Sequence, residues 1–221
     1  MPDLISYQSI ADVPIHYDRL SPPYHYATRG KGPRTVRSTP EFRDRLADWI
    51  DHLAAVCPMG RPEILVTAGF QVDKGSARNT HRRGIAFDLD GLWWPDGERI
   101  FAQASNPIRF PRYLAIEAGL RMHFGWVRGR WADPKHDDHW HCDMSMPVGF
   151  APRSPRCIRF VQAALKYVLP GPPVVQDGKW GRETDFAMVE ALLAAGHTPV
   201  VLADFWQEFL ELVERTGWAA G

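Results

Sequence analysis

The sequence predicts an α+β fold, a small sheet flanked by helices, followed by an all-α module of three helices. Two observations carry that expectation. One amphipathic helix is followed by short β-branched and aromatic runs separated by polar, glycine-containing loops, which is the order of an α+β domain. The last third instead shows helical periodicity only, broken at Pro170-Gly-Pro-Pro173 and Gly196-His-Thr-Pro199. The 221 residues, 45% hydrophobic and 24% charged, suffice for a real core and for one or two domains.

Residues 1–38 contain Pro-Pro and Gly-Lys-Gly-Pro with scattered aromatics and no regular period. They read as an extended arm or irregular cover on the domain at 39–148. A helix starts at Ser38 or Thr39 as N-cap, with Pro40 in its first turn and Glu41 at its positive end. Phe42, Leu46, Trp49, Ile50 and Leu53 form one stripe, and Cys57-Pro58 should end it. Glu63 to Phe70 and Ile85 to Leu89 read as buried strands, and a polar loop lies between them. Arg112 to Arg121 reads as a helix packed through Leu114, Ile116 and Leu120. Met122 to Val127 and His139 to Met146 read as further strands. Gly149 to Pro155 forms a Pro- and Arg-rich joint. In 156–221 the helices are expected at Ile158 to Leu169, Glu183 to Ala195 and about Leu202 to Arg215.

Lys plus Arg and Asp plus Glu both number 26, so no global field favours nucleic acid or an anionic membrane. No run approaches the roughly 18 apolar residues of a membrane span, which excludes insertion by a helix. The N-terminus also lacks the apolar run of about 7–15 residues of a secretory signal, so synthesis in the cytoplasm is expected. Cys57, Cys142 and Cys157 are odd in number and widely spaced, and read as buried free thiols. A monomer is the simplest expectation.

Chemistry concentrates in two places. The first is Thr80-His-Arg-Arg-Gly-Ile-Ala-Phe-Asp88, the second His136-Asp-Asp-His-Trp-His-Cys-Asp143. Zinc favours imidazole and carboxylate ligands, and a catalytic site takes three of them and leaves one position open. On a strand His139 and His141 share a face, while Trp140 and Cys142 point the other way. His81 and Asp88 are of opposite parity and up to roughly 23 Å apart if extended. They meet only if the chain turns back at Gly84. Asp88 with Asp90 can also be read as a turn-forming pair, and Asp137-Asp138 as a solvated loop. Trp93-Trp94 fits a sugar-binding groove and core packing equally well. Arg82 and Arg83 read either as surface charge or as partners for substrate carboxylates.

His81-x-x-Gly84-x-Ala86-x-Asp88 followed by His139-x-His141 resembles the zinc peptidases grouped around the lysostaphin-type, D-Ala-D-Ala carboxypeptidase and murein endopeptidase families. His136-x-x-His139-x-His141 is most similar to the murein endopeptidase version. Ala86-Phe-Asp-Leu-Asp-Gly91 with Asp96-Gly97 also resembles the extensin-like C-terminal domains. The similarity covers about residues 40–147. It implies one zinc ion held by His81, Asp88 and His141, with a general base just ahead of the last ligand. In many relatives that base is a glutamate three positions ahead of the ligand, a place occupied here by Asp138, and in the murein endopeptidase type it is the first histidine of His-x-His, here His139. Strand parity places His139 beside the metal and Asp138 on the far face, which favours His139, with His136 lining the mouth.

The pattern departs from the family where relatives carry Ser-x-His and Tyr-Arg-Ser, since this chain has Asn79-Thr80-His81 and Phe70-Gln71-Val72. The substrate-polarising role then falls to Gln71, Arg78 or Arg82. Phe160-Val-Gln162, Asp177-Gly-Lys-Trp-Gly181 and Thr184-x-x-Ala187 resemble the three-helix peptidoglycan-binding domains. Together the two resemblances imply a peptidoglycan endopeptidase like those of phage lysins, reaching the wall after holin-type lysis or specialised secretion. A D,D-carboxypeptidase and a non-catalytic zinc-containing wall-binding protein are the alternatives.

Overall fold

The computed structural model describes residues 3–17, 32–103, 107–172, 174–197 and 205–220. The fold is α+β, as the order of periodicities predicts. Strands β1 (Ile5–Tyr7) and β4 (Val36–Ser38) pair as a two-stranded sheet. A larger sheet runs in the order β2 (Ser9–Ile10), β3 (Val13–His16), β5 (Ile64–Gly69), β6 (Ala86–Trp93), β9 (Trp140–Asp143) and β8 (Trp126–Arg128). β7 (Arg99–Phe101) pairs with the outer half of β6.

The N-terminal segment is therefore not an irregular cover. β3 lies parallel to β5, with Ile15 opposite Leu65, and Val13 and Ile15 are fully buried. Its alternation is only four residues long, too short to stand out beside the prolines. The part of the expected arm at 18–31 lies outside the described residues.

Helix α1 (Pro40–Val56) follows its sequence signals closely. The Phe42 amide donates to Thr39 Oγ1 at 3.3 Å, which caps the N-terminus, and the helix ends at Cys57 before Pro58. Phe42, Leu46, Trp49, Ile50 and Leu53 are all at 0% exposure, so the expected stripe is its buried face. Each such side chain contributes about 1.5–3 kcal/mol relative to an exposed one.

Helix α2 (Phe110–His123) runs past the expected bounds at both ends and takes up Met122 and His123, so the strand after it is only Trp126–Arg128. It is buried nearly all round, because the sheet and α1 cover one side and α5 (Trp206–Ala219) the other. Gly217 lets the Pro111 carbonyl approach, since a Cβ there would lie 2.5 Å from that oxygen. Trp94 meets Trp218 edge to face at 6.4 Å. Trp93 and Trp94 are thus core residues, at 4% and 1% exposure, not walls of a groove.

Helices α3 (Pro155–Tyr167) and α4 (Arg182–Ala194) complete the C-terminal third. Leu202, the expected start of the last helix, lies outside the described residues. Gln162 explains the motif around it. Its amide donates to Asp177 Oδ1, the Lys179 carbonyl and Thr184 Oγ1 at 2.9, 3.1 and 3.2 Å, and its oxygen accepts from the Gly178 amide at 2.9 Å. One buried side chain so fixes the turn at Gly178, whose φ is +75°, onto two helices. The core runs continuously from the sheet through α2 to α5. No helix among the described residues is long and apolar enough to cross a membrane.

Candidate metal centre

Register places the site. On β6 and β9, Asp88 lies directly opposite His141, and Arg128 on β8 lies opposite His141 from the other side. Opposed residues share a face, so Asp88, His141, Asp143, Trp126 and Arg128 project together, while Phe87, Leu89, Trp140, Cys142 and Val127 enter the core. Cys142 is fully buried on the core side, and all three cysteines are free and buried. Thr67 anchors the backbone of Asp88. Its hydroxyl donates to the Asp88 carbonyl at 2.7 Å and accepts from the Gly69 amide at 3.0 Å, across an irregularity in the β5–β6 ladder.

His81 reaches the same point from the loop before β6. Gly84, at φ +68°, turns the chain back, with its amide donating to the His81 carbonyl at 3.0 Å. The positive φ calls for glycine, and a Cβ there would also crowd the Thr39 amide nitrogen at 3.2 Å.

Three ligand atoms converge. His81 Nε2 lies 3.2 Å from His141 Nδ1 and 3.3 Å from Asp88 Oδ1, and His141 Nδ1 lies 2.9 Å from Asp88 Oδ1. A tetrahedral ion with bonds of about 2.0–2.1 Å needs its ligands about 3.3 Å apart, so the cluster is close to that spacing. The outer nitrogens are committed elsewhere. His81 Nδ1 donates to the Phe70 carbonyl at 2.7 Å, and His141 Nε2 donates to Asp143 Oδ2 at 3.0 Å. Each ring thereby keeps a lone pair on the atom that faces the cluster, as a metal ligand requires. Ser145 holds Asp143 in turn, its amide donating to Asp143 Oδ1 at 2.8 Å.

The electrostatics fit a cation. Burial pushes the Asp88 carboxyl up, but the imidazoles of His141 and His81 beside it hold it well below the usual carboxylate range. Burial lowers His141, yet its hydrogen bonds to Asp143 and Asp88 outweigh that and raise it to about 9. Without an ion the cluster therefore favours a proton between two carboxylates. An ion bound there replaces that proton.

His139 stands beside the cluster, just ahead of β9, with Nε2 3.7 Å from Asp88 Oδ1. Its Nδ1 donates to Asp138 Oδ1 at 2.6 Å. Strand parity put Asp138 on the far face. Asp138 is not among the residues that line the cavity, and its carboxylate holds the outer nitrogen of the imidazole whose Nε2 faces Asp88. His136 is among the residues that line the cavity, with Nδ1 donating to Asp133 Oδ1 at 2.8 Å.

The cavity over the cluster has a volume of about 630 Å³. Of the three expected substrate contacts, Arg78 lines it, and Gln71 and Arg82 do not. The Gln71 side chain accepts from Arg37 at 2.8 Å and borders a separate cavity, while Arg82 donates to the Gly75 carbonyl. Arg83 and Arg128 line the metal cavity instead. Asp143 carried a readable signal, being two residues from His141 and so on the same face. Arg128 did not, because its strand was expected to end at Val127.

His81, Asp88 and His141 form the group of His, Cys, Asp and Glu that could hold a metal ion among the described residues, their ligand atoms within 4.8 Å of one another. No family model matches the chain, and no curated protein or solved structure matches it.

Proposed function

We propose that the chain is a zinc-dependent peptidase that cuts peptide bonds in the stem or cross-link peptides of bacterial peptidoglycan. Support comes chiefly from one juxtaposition: three convergent lone pairs on His81, Asp88 and His141, with the His139–Asp138 pair beside them. Zinc, when bound by these residues, supplies Lewis-acid polarisation of a carbonyl and lowers the pKa of water towards about 7.

The remaining work belongs to the chain. His139 Nδ1 already donates to Asp138, so Nε2 is the nitrogen available to take a proton from water in the cavity. Asp138 holds that tautomer and stabilises the imidazolium that results. His139 then returns the proton to the departing amine, so no net proton is consumed. Removing such a base costs on the order of 10²–10⁴ in rate. Arg78, Arg83 and Arg128 give the cavity wall a positive character suited to a peptide rich in carboxylates.

A D,D-carboxypeptidase is a second reading, favoured by Arg128, which lines the metal cavity and can take a terminal carboxylate. Purified sacculi incubated with the protein separate the two. Soluble cross-link fragments in the mass spectrum, lost with chelator and with His139→Ala, support the endopeptidase. Release of single terminal residues alone supports the carboxypeptidase. Intact peptidoglycan after zinc is restored excludes both.

A further inference from the structure

A second cleft, of about 790 Å³, adjoins the metal cavity, and the indole of Trp126 is a wall of both. Beyond that ring the lining comes from Ala132 and Asp133 and from the joint before α3 and its first turns, with Arg153, Arg156 and Arg159 as its basic members. Two guanidiniums flank the indole. The Arg128 carbon Cζ lies 5.1 Å from the ring centroid on the metal side, and Arg156 Cζ lies 5.8 Å from it.

Charge in this cleft is unbalanced. Asp133 is its acidic lining residue, and its carboxylate already accepts from His136 and the Lys135 amide, with Arg156 only at 3.7 Å. Among the described residues Arg153 and Arg159 enter no ion pair, although Arg159 donates to the Ala132 carbonyl at 3.2 Å, and Arg128, on the metal side of the indole, enters none either. Between the arginines the walls are small and apolar, Ala132, Ala151, Pro152 and Pro155. Guanidinium groups bind carboxylates through paired hydrogen bonds, and such walls suit short aliphatic side chains.

We infer that the cleft beyond Trp126 binds the carboxylates of an extended acidic peptide whose scissile bond lies over the His81–Asp88–His141 cluster. This rests on the peptidase reading for the bond, but binding needs no metal. Trp126 then joins the two cavities, with Arg128 on the metal side and Arg156 on the other, and the peptide runs across the indole.

The test is titration calorimetry on the full chain in chelator, with the tetrapeptide Ala-Glu-Ala-Ala and its C-terminally amidated Ala-Gln-Ala-Ala counterpart. The acidic peptide is expected to bind at least tenfold more tightly. Arg156→Gln and the exposed Arg153→Glu should each weaken it about tenfold and leave the amidated peptide unaffected, with melting temperatures confirming that both variants fold. Equal affinity for the two peptides, or equal affinity in the folded variants, overturns the inference. Displacement of the peptide by inorganic phosphate at the same concentration overturns it too, since the cleft would then be a general anion site. Binding that follows the expected pattern, in a protein that hydrolyses nothing with zinc, sustains the cleft and rejects the peptidase.

Discussion

Asp143→Ala isolates what the shell behind the metal ligands contributes. The substitution removes the acceptor 3.0 Å from His141 Nε2 and leaves His81, Asp88 and His141 in place. A hydrogen bond to a charged partner is worth about 1.5–3 kcal/mol, and loss of such an outer partner lowers metal affinity about 10- to 100-fold. The two figures agree, because a factor of ten is about 1.4 kcal/mol. His141 would also lose the contact that keeps the proton on Nε2, so its Nδ1 lone pair would be shared with the wrong tautomer. Competition for zinc against a chromophoric chelator at fixed pH measures the effect. Asp138→Asn serves as the control, since Asp138 accepts from His139, which is not one of the three ligands. Its zinc affinity should stay within about threefold of the parent. Unchanged affinity in a folded Asp143→Ala protein would refute the assignment of His141 Nδ1 as the ligating atom.

His139→Ala should retain zinc and lose peptidase activity by about 10²–10⁴-fold, and Asp138→Asn should lose less, both read as fragment release from sacculi. His52→Ala should cost on the order of 2 kcal/mol in denaturant unfolding, because Glu214, at 3% exposure, loses its partner at 2.8 Å. Burial raises the Glu214 carboxyl above its ordinary 4.5, so its contribution is full below that value and is lost as pH rises through the folded pKa. The same deficit should therefore grow as pH rises from about 4.5, and Glu214→Gln in the His52→Ala background should remove that slope. Gly125→Ala places a Cβ 1.8 Å from the Met146 carbonyl oxygen, and should cost about 3 kcal/mol and disturb β8, seen as a lowered melting temperature.

Much of the site was legible because its determinants are local. Gly84 between His81 and Asp88, and the alternation of His141, Cys142 and Asp143, settle by backbone geometry which side chains meet. Helix α1 was readable for the same reason, with cap, proline and stripe all in one segment. The failures share an opposite cause. Val13–His16 becomes a sheet strand by pairing with Ile64–Gly69, a partner distant in sequence. Arg128 joins the cavity through the register of β8 on β9, and Gln71 leaves it because Arg37 holds it elsewhere. The tryptophans at 93 and 94 were ambiguous until α5 was seen to cover Trp94.

Zinc-edge X-ray absorption on the zinc-loaded chain tests the metal centre most directly. The expected spectrum has one four-coordinate ion per chain, with two imidazoles and oxygen ligands at about 2.0–2.2 Å, and loss of one imidazole in His81→Ala. A sulfur shell near 2.3 Å would bring in Cys142 and contradict the assignment, as would a spectrum that His81→Ala leaves unchanged.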